Sequence, residues 1–326
     1  MKVLVTGGTG FIGSHLVELL LARGDDVRCV AKDRLNVVML DSPNVEVILG
    51  DLNNGLGWDR ILDGVERVYH LAGVTKAARA SEYYEGNCLA TRRLLESCFR
   101  FGPNLKRFLY VSSQAAVGPS LDGQPVTERS PYHPVTHYGR SKMMAELEIL
   151  KVRDQLPVTI IRPSAVYGPR ERDWLEYFKY IKQGIQPLMG FGKKFLSLIH
   201  SDDLVSGIIA AAESSQAEGE TYFLGSETTY STEDIGDVVA RILNRRTVRV
   251  RIPHVLVRAV GMLLGISAQL KHKAALFNYQ KAIDSLQSAW ICSVEKAKSH
   301  FGFRQCVALE DGMLGTCRWY QEHGWL

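Results

Sequence analysis

The sequence predicts an α/β protein built on a doubly wound parallel sheet with a smaller α+β lobe behind it, and three observations carry that expectation. The run Val3-Leu4-Val5-Thr6 ends in glycines, and apolar residues of helical period (Phe11, Ile12, Leu16, Leu19, Leu20) follow at once, the pattern of a buried parallel strand turning into a helix. Strand-like and helix-like stretches then alternate to about residue 165, the rhythm of βαβ units closing into one right-handed sheet. Beyond Tyr167 that rhythm loosens. The expected division is residues 1–165, with a returning segment at about 195–225, and a second lobe over 166–326.

The first turn makes a phosphate site. Gly8, Gly10 and Gly13 fit the spacing G-x-G-x-x-G, and Gly7, Gly10 and Gly13 fit G-x-x-G-x-x-G. Glycine serves there for a tight turn, for close approach of backbone to a pyrophosphate, and for close packing of helix on strand. A helix opening near Phe11 aims its free N–H groups and positive dipole end at the anion. Position after a strand and before a helix separates this motif from a glycine turn that binds nothing.

The second strand is expected over Asp26–Ala31, and its end is where such sheets choose between nicotinamide dinucleotides. Asp33 lies at about the ~20-residue spacing of an acidic ribose ligand, but Lys32 and Arg34 flank it. Two cations favour a 2′-phosphate through charge-assisted bonds, so the reading leans to NADP over NAD, against the plainer reading of three solvated loop charges. Strands follow at 45–49 and 67–71. Their ends place Asp51 to accept from an adenine amino group, and Leu71-Ala72-Gly73 to let backbone approach the cofactor.

A long helix is expected over Ser81–Phe101, with Leu89, Leu94 and Leu95 facing inward, then a strand at Arg107–Val111, a second long helix from about His133 to Arg153, and a strand over 157–162 stopped by Pro163. The later pattern gives helices near 174–182, 202–213, 232–244 and 309–323, with strands at 195–200 and 220–224. The apolar stretch Val255–Leu270 suits a pocket wall, a membrane-surface contact or lobe packing, the last being preferred.

Composition narrows the function. At 326 residues, 46% hydrophobic and 23% charged, the chain has the make-up of a globular protein. A net charge of +4 reads as spread along the sequence without a basic tract, which speaks against nucleic acid. Six cysteines form no C-x-x-C pair and do not cluster with histidine, so no metal site is expected and the compartment reads as reducing and cytoplasmic. Met1-Lys2 leads straight into the first strand without a signal peptide. Val255–Leu270, interrupted by Arg258, is shorter than the ~20 residues a bilayer span needs.

The chemistry centres on Tyr138-Gly139-Arg140-Ser141-Lys142, which places a phenol and an ammonium one helical turn apart on one face. A phenol of pKa ~10 is a poor base near neutrality, and a neighbouring ammonium favours its ionised form. Tyr138 is thereby expected to act as general acid/base on an alcohol or ketone, with Ser113 at the neighbouring strand end bonding the same oxygen. Alone, Y-x-x-x-K is an ordinary helix face. Behind the glycine turn and a serine-bearing strand end it becomes specific.

These motifs resemble the short-chain dehydrogenase/reductase superfamily, and within it the extended branch, the NAD-dependent epimerase/dehydratase family with its Rossmann fold. T-G-G-T-G-F-I-G (6–13), G-D-L (50–52), H-L-A-G (70–73), V-S-S (111–113), Y-G-R-S-K (138–142) and R-P-S-A-V-Y-G-P (162–169) match in order, and W-Y-Q-E-H-G-W-L (319–326) is similar to the branch's closing helix. The resemblance implies Ser113, Tyr138 and Lys142 as catalytic serine, base and lysine, with Lys142 also on the nicotinamide ribose. Ser113 fits better than Ser112, and Gln114 is a third position. It further implies Phe11 and Ile12 at the pyrophosphate, Asp51 and Leu52 at adenine, and Pro163 near the nicotinamide.

Departures bear on substrate. Nucleotide-sugar enzymes of this branch commonly carry N-x-Y-G-P and R-D-F-x-Y-x-D-D, whose asparagine and arginine hold a diphosphate. Here Ser164 or Ala165 stands for the asparagine, and Leu196 for the arginine. Lys193, Lys194, Arg170 or Arg172 are the candidate substitutes. R-P-S-A-V-Y-G-P and V-R-C-V-A-K-D are similar to dihydroflavonol reductase and 3β-hydroxysteroid dehydrogenase relatives, which handle apolar substrates. The expectation is an NAD(P)-dependent oxidoreductase of a lipophilic or sterol-like alcohol or ketone. A nucleotide-sugar epimerase/dehydratase working by transient oxidation, and a cofactor-binding sensor without catalysis, are the alternatives. The helical faces at 81–101 and 138–153 resemble those forming a homodimer's four-helix core in this branch.

Overall fold

The computed structural model describes residues 1–32, 44–53, 57–270 and 277–326, with 268–270 by backbone alone. The strands are β1 (Lys2–Thr6), β2 (Asp26–Ala31), β3 (Val45–Leu49), β4 (Arg67–His70), β5 (Arg107–Val111), β6 (Val158–Pro163), β7 (Ala165–Tyr167), β8 (Ile185–Met189), β9 (Phe195–His200), β10 (Glu220–Leu224), β11 (Thr229–Ser231), β12 (Val248–Ile252) and β13 (Ala289–Trp290). The helices are α1 (Phe11–Ala22), α2 (Trp58–Ile61), α3 (Ala80–Tyr83), α4 (Ala90–Phe101), α5 (His137–Leu150), α6 (Arg172–Lys182), α7 (Ser201–Glu213), α8 (Thr232–Ile242), α9 (His254–Leu270), α10 (Tyr279–Leu286), α11 (Glu295–Phe301) and α12 (Leu309–Glu322).

Seven strands form one sheet in the order β3-β2-β1-β4-β5-β6-β10, every pairing parallel. Strands buried on both faces explain its apolar runs. Along β1, Val3 and Val5 turn to one face and pack with Leu16 and Leu20 of α1, while Leu4 turns to the other and packs with Val68 and Phe108. The order reverses between β1 and β4, so the crevice above their carboxyl ends is the ligand-binding position of a doubly wound fold. β6 includes Pro163, opposite Leu224, rather than stopping before it; at a strand's last position the missing N–H disturbs the ladder little.

Of the segment expected to return to this sheet, α7 and β10 do so, but β9 does not. It pairs with β7, β11 and β13 in a small sheet of the second lobe. That lobe is held by a core of its own, in which Phe178, Val239, Met313 and Tyr320 of α6, α8 and α12 meet.

Two further expectations are corrected. Residues 80–101 are not one regular helix: a π-helical turn over Tyr84–Leu89 separates α3 from α4. The wider turn shifts the facing, so Asn87 and Cys88 are buried and Leu89 is exposed instead of inward, while Leu94 and Leu95 are buried as expected. The stretch Val255–Leu270 is α9, but it is not packed into the lobe around its circumference. Val257 and Gly261 are buried and most of its large apolar side chains face solvent.

Candidate active site

The glycine turn is shaped by two residues in particular. Gly7 sits in the left-handed region (φ 75°), where a Cβ would fall 2.6 Å from the Ala72 amide nitrogen. A Cβ on Gly13 would fall 2.1 Å from the Gly7 carbonyl oxygen. Only glycine lets the first turn of α1 close on β1 and β4 in this way. Gly10 caps α1 without any side-chain hydrogen bond, which leaves first-turn N–H groups for an anion. Phe11 and Ile12 follow, half-buried. This bare cradle fits a pyrophosphate.

Beyond β2 and β3, where adenosine is expected, Lys32 Nζ and Asp51 Oδ2 pair at 3.0 Å, and the Asn53 amide donates to Asp51 Oδ1 at 2.9 Å. Partial burial pushes the Asp51 carboxyl up, but the Asn53 amide and the Lys32 ammonium outweigh it and leave the pKa lowered. Leu52 is buried beside it. Lys32 therefore already has a carboxylate partner. Asp33 and Arg34 lie outside the described residues.

Leu71, Ala72 and Gly73 continue from β4, where the Leu71 amide donates to Thr6 O at 3.0 Å and the Ala72 amide to Thr6 Oγ1 at 3.3 Å. A Cβ on Gly73 would meet Asn87 Oδ1 at 2.8 Å and approach Lys142 Nζ at 3.5 Å. This strand end thus adjoins the Y-x-x-x-K helix. Pro163 closes β6 on the far side.

Tyr138 and Lys142 share one face of α5, as their spacing predicts. Lys142 Nζ donates to Val111 O at 2.8 Å and lies 4.6 Å from the Tyr110 ring centroid. Burial pulls its pKa down to about 7, against the opposing pull of Glu146. Tyr138 is pushed up to about 12 by burial, with Ser113 acting in the other direction. The phenol's net shift is thus upward, with burial its largest cause, and the downward pull expected of the lysine is one it exerts together with a cationic nicotinamide.

The three candidates at the end of β5 are separated by where they point. The Ser112 hydroxyl donates to buried Glu146, which is ion-paired with Arg162 at 2.6 Å. Gln114 Nε2 donates to Ile291 O at 3.1 Å. Ser113 alone of the three acts on Tyr138, and its hydroxyl also accepts from the Ala115 amide at 3.1 Å.

Several residues at this site lie outside the sequence motifs. Asn87 accepts from the Val74 amide at 2.6 Å and donates to Ser141 Oγ at 2.8 Å, tying the π-helical turn to α5. The Tyr83 ring stands edge-on to Tyr138 at 6.4 Å. From the second lobe, α10 lies across the α5 N-terminus, where the His137 amide donates to Gln280 Oε1 at 2.7 Å. Asp284 of α10 raises the Tyr138 pKa and Lys281 lowers it. Asp173 of α6 binds Lys76 at 2.5 Å and Lys281 at 3.1 Å. Asn87 could have been suspected as a polar residue amid helical apolar period; Gln280 and Lys281 lie some 140 residues from the motif they approach, where no spacing rule reaches.

Three of the four candidate diphosphate ligands are otherwise engaged, and Lys193 is exposed. Lys194 Nζ donates to the carbonyls of Leu286 and Gln287. Arg170, at φ 75°, binds Ser14 Oγ and Glu18. Arg172 lies over the Trp325 ring, and Lys193 acts on the Asp234 carboxylate. Among the described residues no group of histidine, cysteine and carboxylate side chains could hold a metal ion.

The sheet order, the glycine cradle and the crevice above them define a dinucleotide-binding α/β protein of the Rossmann type. The family model described as NAD dependent epimerase/dehydratase matches residues 3–225, and the chain belongs to that family, whose members are extended short-chain dehydrogenase/reductase enzymes acting with NAD(P). It is 27% identical over 335 residues to sterol-4-alpha-carboxylate 3-dehydrogenase, decarboxylating, of Mus musculus, covering 97% of this chain and 90% of that one. It is 28% identical over 330 residues to ceramide reductase of Caulobacter vibrioides, covering 99% and 96%. The solved UDP-glucuronic acid 4-epimerase of Bacillus cereus, in complex with NAD, is similar at a TM-score of 0.81 and 22% identity over 99% of each chain, a likeness of fold.

Proposed function

We propose that this enzyme moves hydride, with net oxidation or reduction, between a nicotinamide dinucleotide and a secondary alcohol or ketone on a lipophilic, sterol-like substrate. The observation that carries the reading is the meeting of Ser113, Tyr138 and Lys142 beside a helix N-terminus without a side-chain cap, near which Lys76, Lys281, Lys194 and Arg170 are engaged by protein groups. Tyr138 exchanges a proton with the substrate oxygen, Ser113 holds the same oxygen, and Lys142, anchored on Val111 O, opposes the charge of the phenolate. Gly7, Gly10, Phe11, Ile12 and Gly13 take the pyrophosphate. Asp51 and Leu52 take adenine, while Leu71, Ala72, Gly73 and Pro163 flank the remainder. When bound, the dinucleotide supplies or accepts the hydride. Residues 1–165 with α7 and β10 form the cofactor half, and the rest contributes the substrate wall.

A lipophilic substrate is supported by what the cleft lacks. A diphosphate gains most from charge-assisted bonds, yet Leu196 replaces the family arginine and Lys76 and Lys281 are both held by Asp173. The relatives named for sterol and ceramide substrates agree with this; the nucleotide-sugar neighbour at 22% identity speaks to fold alone. For the dinucleotide we favour NADP, with Lys32 leaving Asp51 for the 2′-phosphate; Lys32→Ala then lowers kcat/KM for NADP and leaves that for NAD unchanged. We also place the enzyme as a homodimer in a reducing, cytoplasmic compartment. All six thiols are free, and Phe99, Met144 and Leu147 are exposed on α4 and α5.

The test is a panel of 3β-hydroxysterols, long-chain keto lipids and UDP-sugars with NAD or NADP, read by nicotinamide absorbance. Net turnover with an apolar alcohol or ketone is expected. Interconversion of a UDP-sugar without net absorbance change would overturn the substrate reading, because an epimerase returns its hydride.

A further inference from the structure

Residues 238–283 contain nine lysines and arginines and not one aspartate or glutamate, whereas the rest of the chain carries 30 cations against 35 carboxylates. The basic balance of the whole protein therefore comes from this one segment. Charge that reads as evenly spread is in fact concentrated, which corrects the expectation of no basic tract. Within the segment, Arg241, Arg249, Arg251 and Lys281 pair with carboxylates of α12, α8 and α6. Arg245, Arg246 and Arg258 are exposed and enter no ion pair among the described residues.

The same segment carries α9, a helix about 25 Å long. It touches the body of the protein along one narrow stripe. Val257 is buried with Ala282 and Leu286 of α10, and a Cβ on Gly261 would meet Ala282 Cβ and Asn278 O at 2.9 Å. At 100° per residue, the side opposite that stripe presents Val255, Leu256, Met262, Leu263 and Ile266. Val255 is 80% exposed and Leu263 66% exposed, with Leu256, Met262 and Ile266 about half exposed. Soluble monomers seldom leave so continuous an apolar strip in water. No helix among the described residues is long and apolar enough to cross a membrane.

We propose that α9 is a docking surface for an anionic lipid bilayer, lying in its interfacial plane with the apolar face in the acyl boundary and Arg258 at the headgroups. A helix with an apolar face, Arg258 on its flank and no carboxylate of its own is what such a surface selects. A second protein copy would bring the same positive segment against itself, so charge argues for lipid over self-association on this face. The docked helix is one helix away from the candidate active site, because α10 reaches the α5 N-terminus through Gln280. The proposal does not depend on the substrate reading, since binding is read without turnover.

The test is co-sedimentation of the full chain with phosphatidylcholine vesicles, with and without phosphatidylglycerol, at low and high salt. Binding is expected on the anionic vesicles and is expected to fall with salt. Leu263→Asp should weaken it about tenfold or more, and Arg258→Gln about fivefold, with unchanged circular dichroism and melting, since both side chains are exposed. Val255→Asp serves as a second variant should Leu263→Asp fold poorly. Absence of vesicle binding, or equal binding by wild type and the folded aspartate variant, would overturn the proposal. So would a Leu263→Asp variant that turns a dimer into a monomer in light scattering without any lipid effect, which would assign the face to a second copy.

Discussion

Burial works on Tyr138 and Lys142 in opposite directions: the phenol is pushed up to about 12 and the ammonium down to about 7. An unfolded lysine keeps its proton to about its ordinary value of 10.5, so between about pH 7 and that value the unfolded chain binds one more proton than the folded one. Stability from this group is therefore lowest below pH 7 and is regained as pH rises. Urea midpoints measured across that window should rise with pH in the wild type relative to Lys142→Met; parallel curves would contradict the effect of burial on the lysine. Asp284 raises the Tyr138 pKa, so Asp284→Asn should move the rise of the oxidation rate with pH, set by ionisation of the base, to lower pH. The Glu146–Arg162 pair, 0% and 4% exposed, has no water to replace a lost partner. Glu146→Ala should cost about 3–5 kcal/mol in a denaturation curve, with Ser112 and Tyr132 losing their acceptor as well.

Elements that pack on both faces were legible from sequence, because continuous apolar runs such as Phe108-Leu109-Tyr110-Val111 admit few other readings. In the second lobe the helices α6, α8 and α12 and the strand β9 were legible too, but the short or exposed strands were not. β12 alternates valine and arginine on an exposed two-stranded sheet, and β13 is two residues long, too short for any period to show. Leu89 was misplaced for another reason: a π-helical turn inserts a phase shift that helical periodicity cannot represent. In the glycine turn, the spacing allowed either Gly7 or Gly8 as the leading residue, while the geometry makes Gly7 and Gly13 the sterically obligatory pair. Gly13→Ala should destabilise the protein by about 1–3 kcal/mol through overpacking and weaken dinucleotide binding, checked by melting and by titration with NAD and NADP.

At the scale of the whole molecule, two exposed apolar faces stand apart. One is on α4 and α5, where Arg92 and Glu148 pair at 3.0 Å between them and Phe99, Met144 and Leu147 are open; the other is on α9. Assigned to a second copy and to lipid respectively, they predict a dimer mass in light scattering that Leu147→Asp lowers to the monomer and Leu263→Asp does not. The seven-stranded sheet and its glycine turn were readable in the sequence because their signals are apolar runs and local turns at strand ends. The cleft was not, because Asp173, Gln280 and Lys281 reach it only after the second lobe folds back over α5. The central claim is that Tyr138 carries the proton in a hydride transfer at this crevice. The most direct measurement is the single-turnover rate of nicotinamide oxidation or reduction in Tyr138→Phe against wild type, with dinucleotide binding measured alongside. The account predicts a loss of about 10²–10⁴-fold with binding unchanged; a Tyr138→Phe variant turning over at the wild-type rate would contradict it.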